Sequence, residues 1–196
     1  MNFHFSTLSK VLPTVLIGLL LLTGCGEPEP KDSDPDRRKS PIAIAQTTHN
    51  PSDTYIKIVY GQPYKNDRQI FGELVPYGEV WRTGANEATE LTTTQNISFA
   101  GNTLDAGTYA LFTIPRKDNE WTIILNNELG QWGAFEYDSK HDVLRVDVPS
   151  QSTEKVTEAL TIRFSDIQGD STNIIMTWDK TEINIPVNFH NGDSPT

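Results

Sequence analysis

The segment VWRTGANEAT, residues 80–89, gathers side chains that can bind a polar ligand. The planar guanidinium of Arg82 can donate paired hydrogen bonds to a carboxylate or a phosphate. Trp81 offers an aromatic face for a sugar or another ring, and Asn86 and Glu87 can hydrogen-bond ligand hydroxyls. Aromatic residues in later Gly-punctuated segments can line the same cleft. The candidate ligand-binding residues are Trp81, Arg82, Asn86, Glu87, Trp132 and Tyr137.

The same segment also fits a corner between two strands, and the sequence leaves this interpretation open. Trp81 would then fill the core, and Arg82 and Glu87 would form an ion pair across a turn at residues 83–84. Asn86 would take a left-handed backbone conformation, which Asn tolerates better than most residues. In this interpretation the segment fixes the register of a β fold and contacts no ligand.

Catalytic and metal-binding patterns are sparse in this chain. The histidines at positions 4, 49, 141 and 190 do not have the spacing of metal ligands, and neither a phosphate-binding Gly-rich loop nor a G-x-S-x-G motif occurs. We predict no metal and no cofactor. Because two carboxylates can suffice for glycoside hydrolysis, a hydrolase that uses Glu87 with a second carboxylate is an alternative. The catalytic residues are otherwise unknown.

The N-terminus has the pattern of an exported lipoprotein. An apolar run over residues 11–22 follows Lys10, and it is too short to cross a bilayer as a helix, which is typical of a secretory signal peptide. The residues LTGC, ending at Cys25, resemble the lipobox of bacterial lipoproteins, in which the cysteine is acylated and the chain is cut before it. Cys25 is the only cysteine, so an internal disulfide is excluded. We predict a signal peptide over residues 1–24 and a lipid anchor on Cys25.

The anchor and the charge of the chain limit its location and partners. Gly26 follows the cysteine in place of the Asp that retains some lipoproteins in the inner membrane, so we expect the outer membrane of the cell envelope, in either leaflet. The formal net charge of −10 argues against nucleic acid, which requires clustered cations. Residues 25–50 are rich in Pro and charge, and we predict a flexible acidic tether there.

Apolar and polar residues alternate along most of the remaining chain. Ile56, Ile58 and Tyr60 form one such series, and each series predicts a half-buried strand. The resulting prediction is a single all-β domain over residues 51–190, an antiparallel β-sandwich that is jelly-roll-like or a partly closed barrel. We expect little helix beyond the signal peptide, and a disordered tail over residues 191–196.

Three segments carry more specific expectations. Residues 109–114 and 121–125 are apolar on both faces, which predicts central strands. Pro186 cannot donate a hydrogen bond to a neighbouring strand, which predicts that the last strand lies at an edge. In residues 69–78 a helical turn is possible, and Pro76 would limit its length.

Several blocks of this sequence resemble a known family. IFGELVPYGEVWRTGANEAT, LDAGTYALFTIP, EWTIILN, WGAFEYD and DVLRV occur in this order. They are similar to the family known as domain of unknown function 2911, found in bacterial lipoproteins and secreted proteins. The resemblance covers residues 55–189 and implies a compact β-sandwich and an exported location. It implies no activity and no catalytic residue.

The sequence therefore predicts a lipid-anchored protein of the cell envelope. Its domain binds a small molecule, a glycan or an envelope protein, and it contacts the membrane through Cys25. The two alternatives are the hydrolase described above and a structural scaffold lipoprotein.

Overall fold

The computed structural model describes Met1 and residues 38–190. The predicted signal peptide, Cys25, the first part of the tether and the tail over residues 191–196 lie outside the described residues. No helix in the described part is both long and apolar enough to span a membrane. From residue 38 onward the chain forms one compact unit.

Nine strands make up most of residues 38–190. They are β1 (Ile42–His49), β2 (Thr54–Gly61), β3 (Thr89–Thr93), β4 (Ile97–Phe99), β5 (Asn102–Leu104), β6 (Gly107–Ile114), β7 (Glu120–Asn126), β8 (Asp142–Phe164) and β9 (Ser171–Phe189). The helical content of this range is limited to the short 3-10 turns Asn50–Ser52 and Ser139–His141. The prediction of an all-β fold is confirmed.

The strands form one antiparallel sheet in the order β1-β2-β3-β6-β7-β8-β9-β4-β5, and the sheet is not closed into a barrel. The long strand β8 joins two halves of the sheet, since its first residues pair with β7 and its later residues pair with β9. One buried apolar cluster takes side chains from both halves, including Ile58 of β2, Ile123 of β7 and Ile185 of β9. The two halves enclose this core in the manner of a β-sandwich.

The strands β6 and β7 lie in the interior of the sheet, as their two apolar faces predicted. Leu111 and Ile123 face the main core. Phe112 and Ile124 face the other side and form a second buried cluster, against which Val80, Ala134 and Tyr137 pack. The second cluster explains why both faces of these strands are apolar, and it fixes the segments around residues 80 and 134–137 to the outer face of the sheet.

The predicted boundary of the tether at residue 50 is wrong. Residues 42–49 form β1 and pair with β2 in continuous antiparallel register from Ile42–Gly61 to His49–Thr54. Ala45 and His49 are buried, and the imidazole of His49 stacks on Phe189. The sequence did not predict this strand because its buried face carries Ala, Thr and His, which give a weak hydrophobic signal, while Ile42 and Ile44 are exposed.

Two further expectations are corrected. The strand β9 lies between β8 and β4 and is not an edge strand. Pro186 is tolerated because it lies where the β4–β9 ladder ends: the Ala100 amide donates to the Pro186 carbonyl, and the Asn102 side chain donates to the Ala100 carbonyl. Residues 69–78 contain turns and an isolated bridge between Phe71 and Val75, with no helical turn.

Candidate functional site

The backbone of residues 80–89 is folded tightly against two strands. The amide of Trp81 donates to the carbonyl of Thr113 at 2.8 Å, and the amide of Thr113 donates back at 2.9 Å. The amide of Ala85 donates to the carbonyl of Gly61 at 3.0 Å. A Cβ atom on Gly61 would collide with the carbonyl oxygen of Ala85, so only glycine allows this approach. The segment is therefore a rigid corner attached to β2 and β6.

Two residues of the corner adopt left-handed backbone conformations. Thr83 has φ 56° and Asn86 has φ 67°. The buried hydroxyl of Thr83 donates to the side chain of Thr113 at 3.2 Å, which holds the unusual conformation in place. The carbonyl of Asn86 accepts from the amide of Gly133 at 2.9 Å, so the corner is also joined to the loop over residues 127–137.

The indole of Trp81 belongs to the core. It stacks on Trp178 with ring centroids 5.8 Å apart and meets the edge of Phe71 at 6.1 Å. Its Nε1 donates to the carbonyl of Gly84 at 3.2 Å. The ring is thus buried in the core, as the corner interpretation requires, and Trp81 also lines the neighbouring cleft.

Arg82 is the unusual member of the segment. Its guanidinium is half-buried and takes part in no ion pair within residues 38–190. The Nε atom is fully buried and has no hydrogen-bond acceptor. Burial lowers the pKa of Arg82. Arginine nevertheless remains charged in proteins, so this desolvated cation has no ion-pair partner among residues 38–190.

A cleft of about 250 Å³ opens beside Arg82. Most of its lining is apolar, and Glu79 contributes a carboxylate that is not within ion-pair distance of Arg82. The lining residues are Leu74, Val75, Pro76, Glu79, Val80, Trp81, Arg82, Ala134 and Phe135. One wall comes from the turn before the corner and the other from the loop over residues 127–137.

That loop presents two large aromatic residues to solvent, Trp132 and Phe135. It is held by backbone hydrogen bonds: the amide of Ala88 donates to the carbonyl of Gln131 at 2.9 Å, and Trp132 forms an isolated bridge with Glu87. The ring of Phe135 lies over Gly133, where a Cβ atom would approach it to 2.8 Å. The loop is thus fixed at its base while its aromatic side chains stay exposed.

Glu87 does not pair with Arg82, so the ion pair considered for the corner is not formed. Both carboxylate oxygens of Glu87 instead accept from Arg38, at 2.7 and 2.5 Å. The hydrogen bonds from Arg38 hold the pKa of Glu87 below its ordinary value. This pair joins the first residue of the compact unit to the corner, and Glu87 is therefore not available to Arg82.

Tyr137 lies in a neighbouring cavity and not in the Arg82 cleft. Its hydroxyl donates to Asp142 at 2.7 Å, and Arg145 donates to the same hydroxyl at 2.7 Å. Burial and the hydrogen bond to Asp142 raise the pKa of Tyr137 to about 12. The cavity here is wide, about 770 Å³, and shares only Val80 with the lining of the Arg82 cleft.

The structure therefore divides the candidate residues. Trp81 and Arg82 line one cleft. Asn86, Glu87 and Trp132 belong to the corner and the loop that supply its walls but do not line it, and Tyr137 lies in the neighbouring cavity. Two participants lacked a sequence signal, because Glu79 is one of many acids and Arg38 reaches Glu87 across 49 positions. Within the described range, no group of three or more His, Cys, Asp or Glu residues could hold a metal.

These observations define a class of protein: an all-β domain with a cleft at one corner, lined by an arginine that forms no ion pair within the described part of the chain. The model of the family described as Protein of unknown function (DUF2911) matches residues 40–187. The chain belongs to this family, as the resemblance of its motifs indicated. No curated protein and no solved structure matches the chain.

Proposed function

We propose that this protein is a lipid-anchored binding protein of the cell envelope, whose domain binds a small monoanion with an apolar body in the Arg82 cleft. The observation that carries the proposal is the half-buried guanidinium whose Nε has no acceptor. Buried polar groups in native proteins are nearly always hydrogen-bonded. The desolvated Arg82 guanidinium is an exception, which favours a hydrogen-bonding partner from outside the chain. A carboxylate satisfies a guanidinium through two parallel hydrogen bonds.

The lining of the cleft restricts the ligand further. Val75, Pro76 and Phe135 provide apolar walls, which favour a hydrocarbon or aromatic body. Glu79 adds one negative charge to the same cleft, and like charges repel a second negative charge on the ligand. A carboxylate monoanion therefore fits better than a phosphate dianion, and nucleic acid fits neither the cleft nor the charge of the chain.

A hydrolase that depends on Glu87 is less well supported by the geometry. Its two oxygens are both engaged by Arg38, and its pKa is lowered, so it is a poor general acid. The side chain belongs to a surface ion pair at the edge of the cleft and not to the cleft lining. A binding role needs no such residue.

The leader-like sequence supports the proposed location of the protein. Cys25 lies at the end of a lipobox-like LTGC motif, and acyl chains on a terminal cysteine would hold the domain at the outer membrane. A scaffold role in contact with other envelope proteins is compatible with the same anchor, but no contact within the fold favours it over ligand binding.

Matched ligand pairs test the proposed cleft. We expect hexanoate and benzoate to raise the melting temperature, and the neutral analogues hexanamide and benzamide to leave it unchanged. Acetate, which lacks the apolar body, should have a smaller effect than hexanoate. A ligand at one hundred times its dissociation constant adds about 2.7 kcal/mol to the free energy of unfolding, which a thermal shift assay resolves easily.

Two variants complete this test. Arg82→Met keeps the length of the side chain and removes the charge, and we expect it to abolish the response to anions. Arg163→Met removes the same charge at an exposed position on β8 and should respond like the parent chain. Equal shifts with acids and amides, or an Arg82→Met chain that still responds, would contradict the proposal.

A further inference from the structure

Exposed apolar side chains lie in the walls of the Arg82 cleft and in the rest of the loop over residues 127–137. Phe135 is 87% exposed, Trp132 59%, Leu129 46% and Leu74 43%. Leu129, Trp132 and Phe135 lie within the loop over residues 127–137, and Leu74 lies in the turn before the corner. Leu74 and Phe135 both line the Arg82 cleft. We call these four residues the apolar rim.

The apolar rim lies beside the point where the chain joins the folded domain. Arg38 is tied to Glu87 by two hydrogen bonds, and Glu87 forms a bridge with Trp132. The first residue of the compact unit is therefore fixed next to the aromatic loop. Between Cys25 and Arg38 lie only residues 26–37, which span about 40 Å when fully extended.

We propose that the apolar rim docks on the lipid bilayer that holds the anchor, with Trp132 and Phe135 at the membrane–water interface. The proposal rests on the lipid anchor at Cys25 put forward above. Residues 26–37 would connect the anchored Cys25 to Arg38, which lies next to the rim. Because this connection is short, it would keep this face of the domain near the bilayer, where the effective concentration of lipid is high. The docked orientation also turns the mouth of the ligand cleft towards the membrane surface.

The chemistry of the rim suits a lipid surface. Trp and Phe on an exposed loop can insert their rings at the membrane–water interface, and Trp is enriched at this depth in membrane proteins. The loop itself carries Glu128 and Glu136 near its two ends, so the surface that it fits is zwitterionic and not strongly anionic. We expect docking to weaken as anionic lipid is added.

The tryptophans of this chain allow a direct test. Trp81, Trp121 and Trp178 are buried at 9%, 3% and 2% exposure, so contact with lipid is reported by Trp132. The chain from Cys25 to Thr196 is coupled through its single thiol to a maleimide lipid in phosphatidylcholine vesicles. Part of the phosphatidylcholine carries brominated acyl chains, which quench indoles at the interface.

We expect quenching of tryptophan emission and a blue shift when the coupled chain meets brominated vesicles. Trp132→Phe should remove most of the quenching, and Phe135→Ser should reduce it about twofold by weakening insertion. Val156→Ser, which changes an exposed apolar residue on β8, is the matched control and should quench like the parent chain. All four chains are checked for equal melting temperatures in the absence of vesicles.

The outcomes separate this inference from the proposed anchor. Coupled chains without quenching, or with equal losses in the Val156→Ser and Phe135→Ser chains, would overturn the docking of the rim. Mass spectrometry of Cys25 in protein made by the native cell tests the anchor independently. An unacylated cysteine there would overturn the anchor and the docking with it, whereas acylation without quenching would overturn the docking alone.

Discussion

Replacing Arg82 by Met should make the protein more stable while it loses its ligand. The guanidinium is desolvated, its Nε has no acceptor, and no carboxylate in residues 38–190 pairs with it. Met retains the apolar stem that packs along the cleft and removes both the charge and the unsatisfied donor. A side chain that lowers the free energy of unfolding in the ligand-free protein is expected at a binding site, because function often costs stability there.

The size of the gain follows from the burial of this one group. A buried polar group without a partner costs about 1–3 kcal/mol. Because part of the guanidinium reaches solvent, we take the lower part of this range, about 1 kcal/mol, as the expected gain. For a domain of this size, about 1 kcal/mol corresponds to a rise of about 2–4 °C in the melting temperature.

Calorimetry and urea titration of the ligand-free chains measure this change. Arg163→Met serves as the control for loss of one positive charge, and it should leave the melting temperature within about 1 °C of the parent chain. A loss of stability in Arg82→Met would refute the reasoning, because it would mean that the guanidinium makes favourable contacts within the fold.

Three other predictions concern the surroundings of the cleft. The hydrogen bonds from Arg38 lower the pKa of Glu87 below its ordinary 4.5, so the ion pair stabilises the fold above that pH and this stabilisation is lost as the pH falls. Between about pH 5 and 3, urea titrations of the parent chain should therefore show a loss of up to about 1 kcal/mol more in free energy of unfolding than those of Glu87→Gln. Burial and the hydrogen bond to Asp142 raise the pKa of Tyr137 to about 12, so the fold favours its protonated form and loses stability above pH 10. Burial also raises the pKa values of Tyr60 and Tyr109, so the test is the loss in Tyr137→Phe of the ultraviolet component that titrates near pH 12. Gly61→Ala should cost about 3 kcal/mol, because its Cβ would displace the corner, whereas Gly130→Ala, with open space around it, should cost about 1 kcal/mol through its positive φ. The first prediction is contradicted if the parent chain and Glu87→Gln lose equal stability between pH 5 and 3. The second is contradicted if Tyr137→Phe titrates like the parent chain, and the third if Gly61→Ala and Gly130→Ala cost the same free energy of unfolding.

Much of the fold could be predicted from local patterns. The alternation of Ile56, Ile58 and Tyr60 is enough to define β2, because a strand with one buried face repeats every two residues. The turn between β4 and β5 follows from its Gly: Ala100 and Gly101 both adopt positive φ, which a tight hairpin requires. Such signals lie within a few residues of one another in the chain.

The details of the site depend on contacts that no local pattern carries. The sequence offered Glu87 as the partner of Arg82 because the two are close in the chain, but the left-handed turns between them direct Glu87 to Arg38. Tyr137 was assigned to the same cleft, but its hydroxyl is drawn away by Asp142. Side-chain pairing across distant strands decides these choices, and it depends on the folded backbone.

Binding of an anion by the Arg82 guanidinium is the central proposal, and the Nε–H resonance of Arg82 reports such binding most directly. In a spectrum of chain labelled with ¹⁵N arginine, the resonance assigned by its absence in Arg82→Met is titrated with hexanoate and, separately, with hexanamide. We expect a saturable shift of the Arg82 resonance with hexanoate alone, while the Arg163 resonance stays in place. A resonance that stays in place at saturating hexanoate, or moves equally with hexanamide, would contradict the claim.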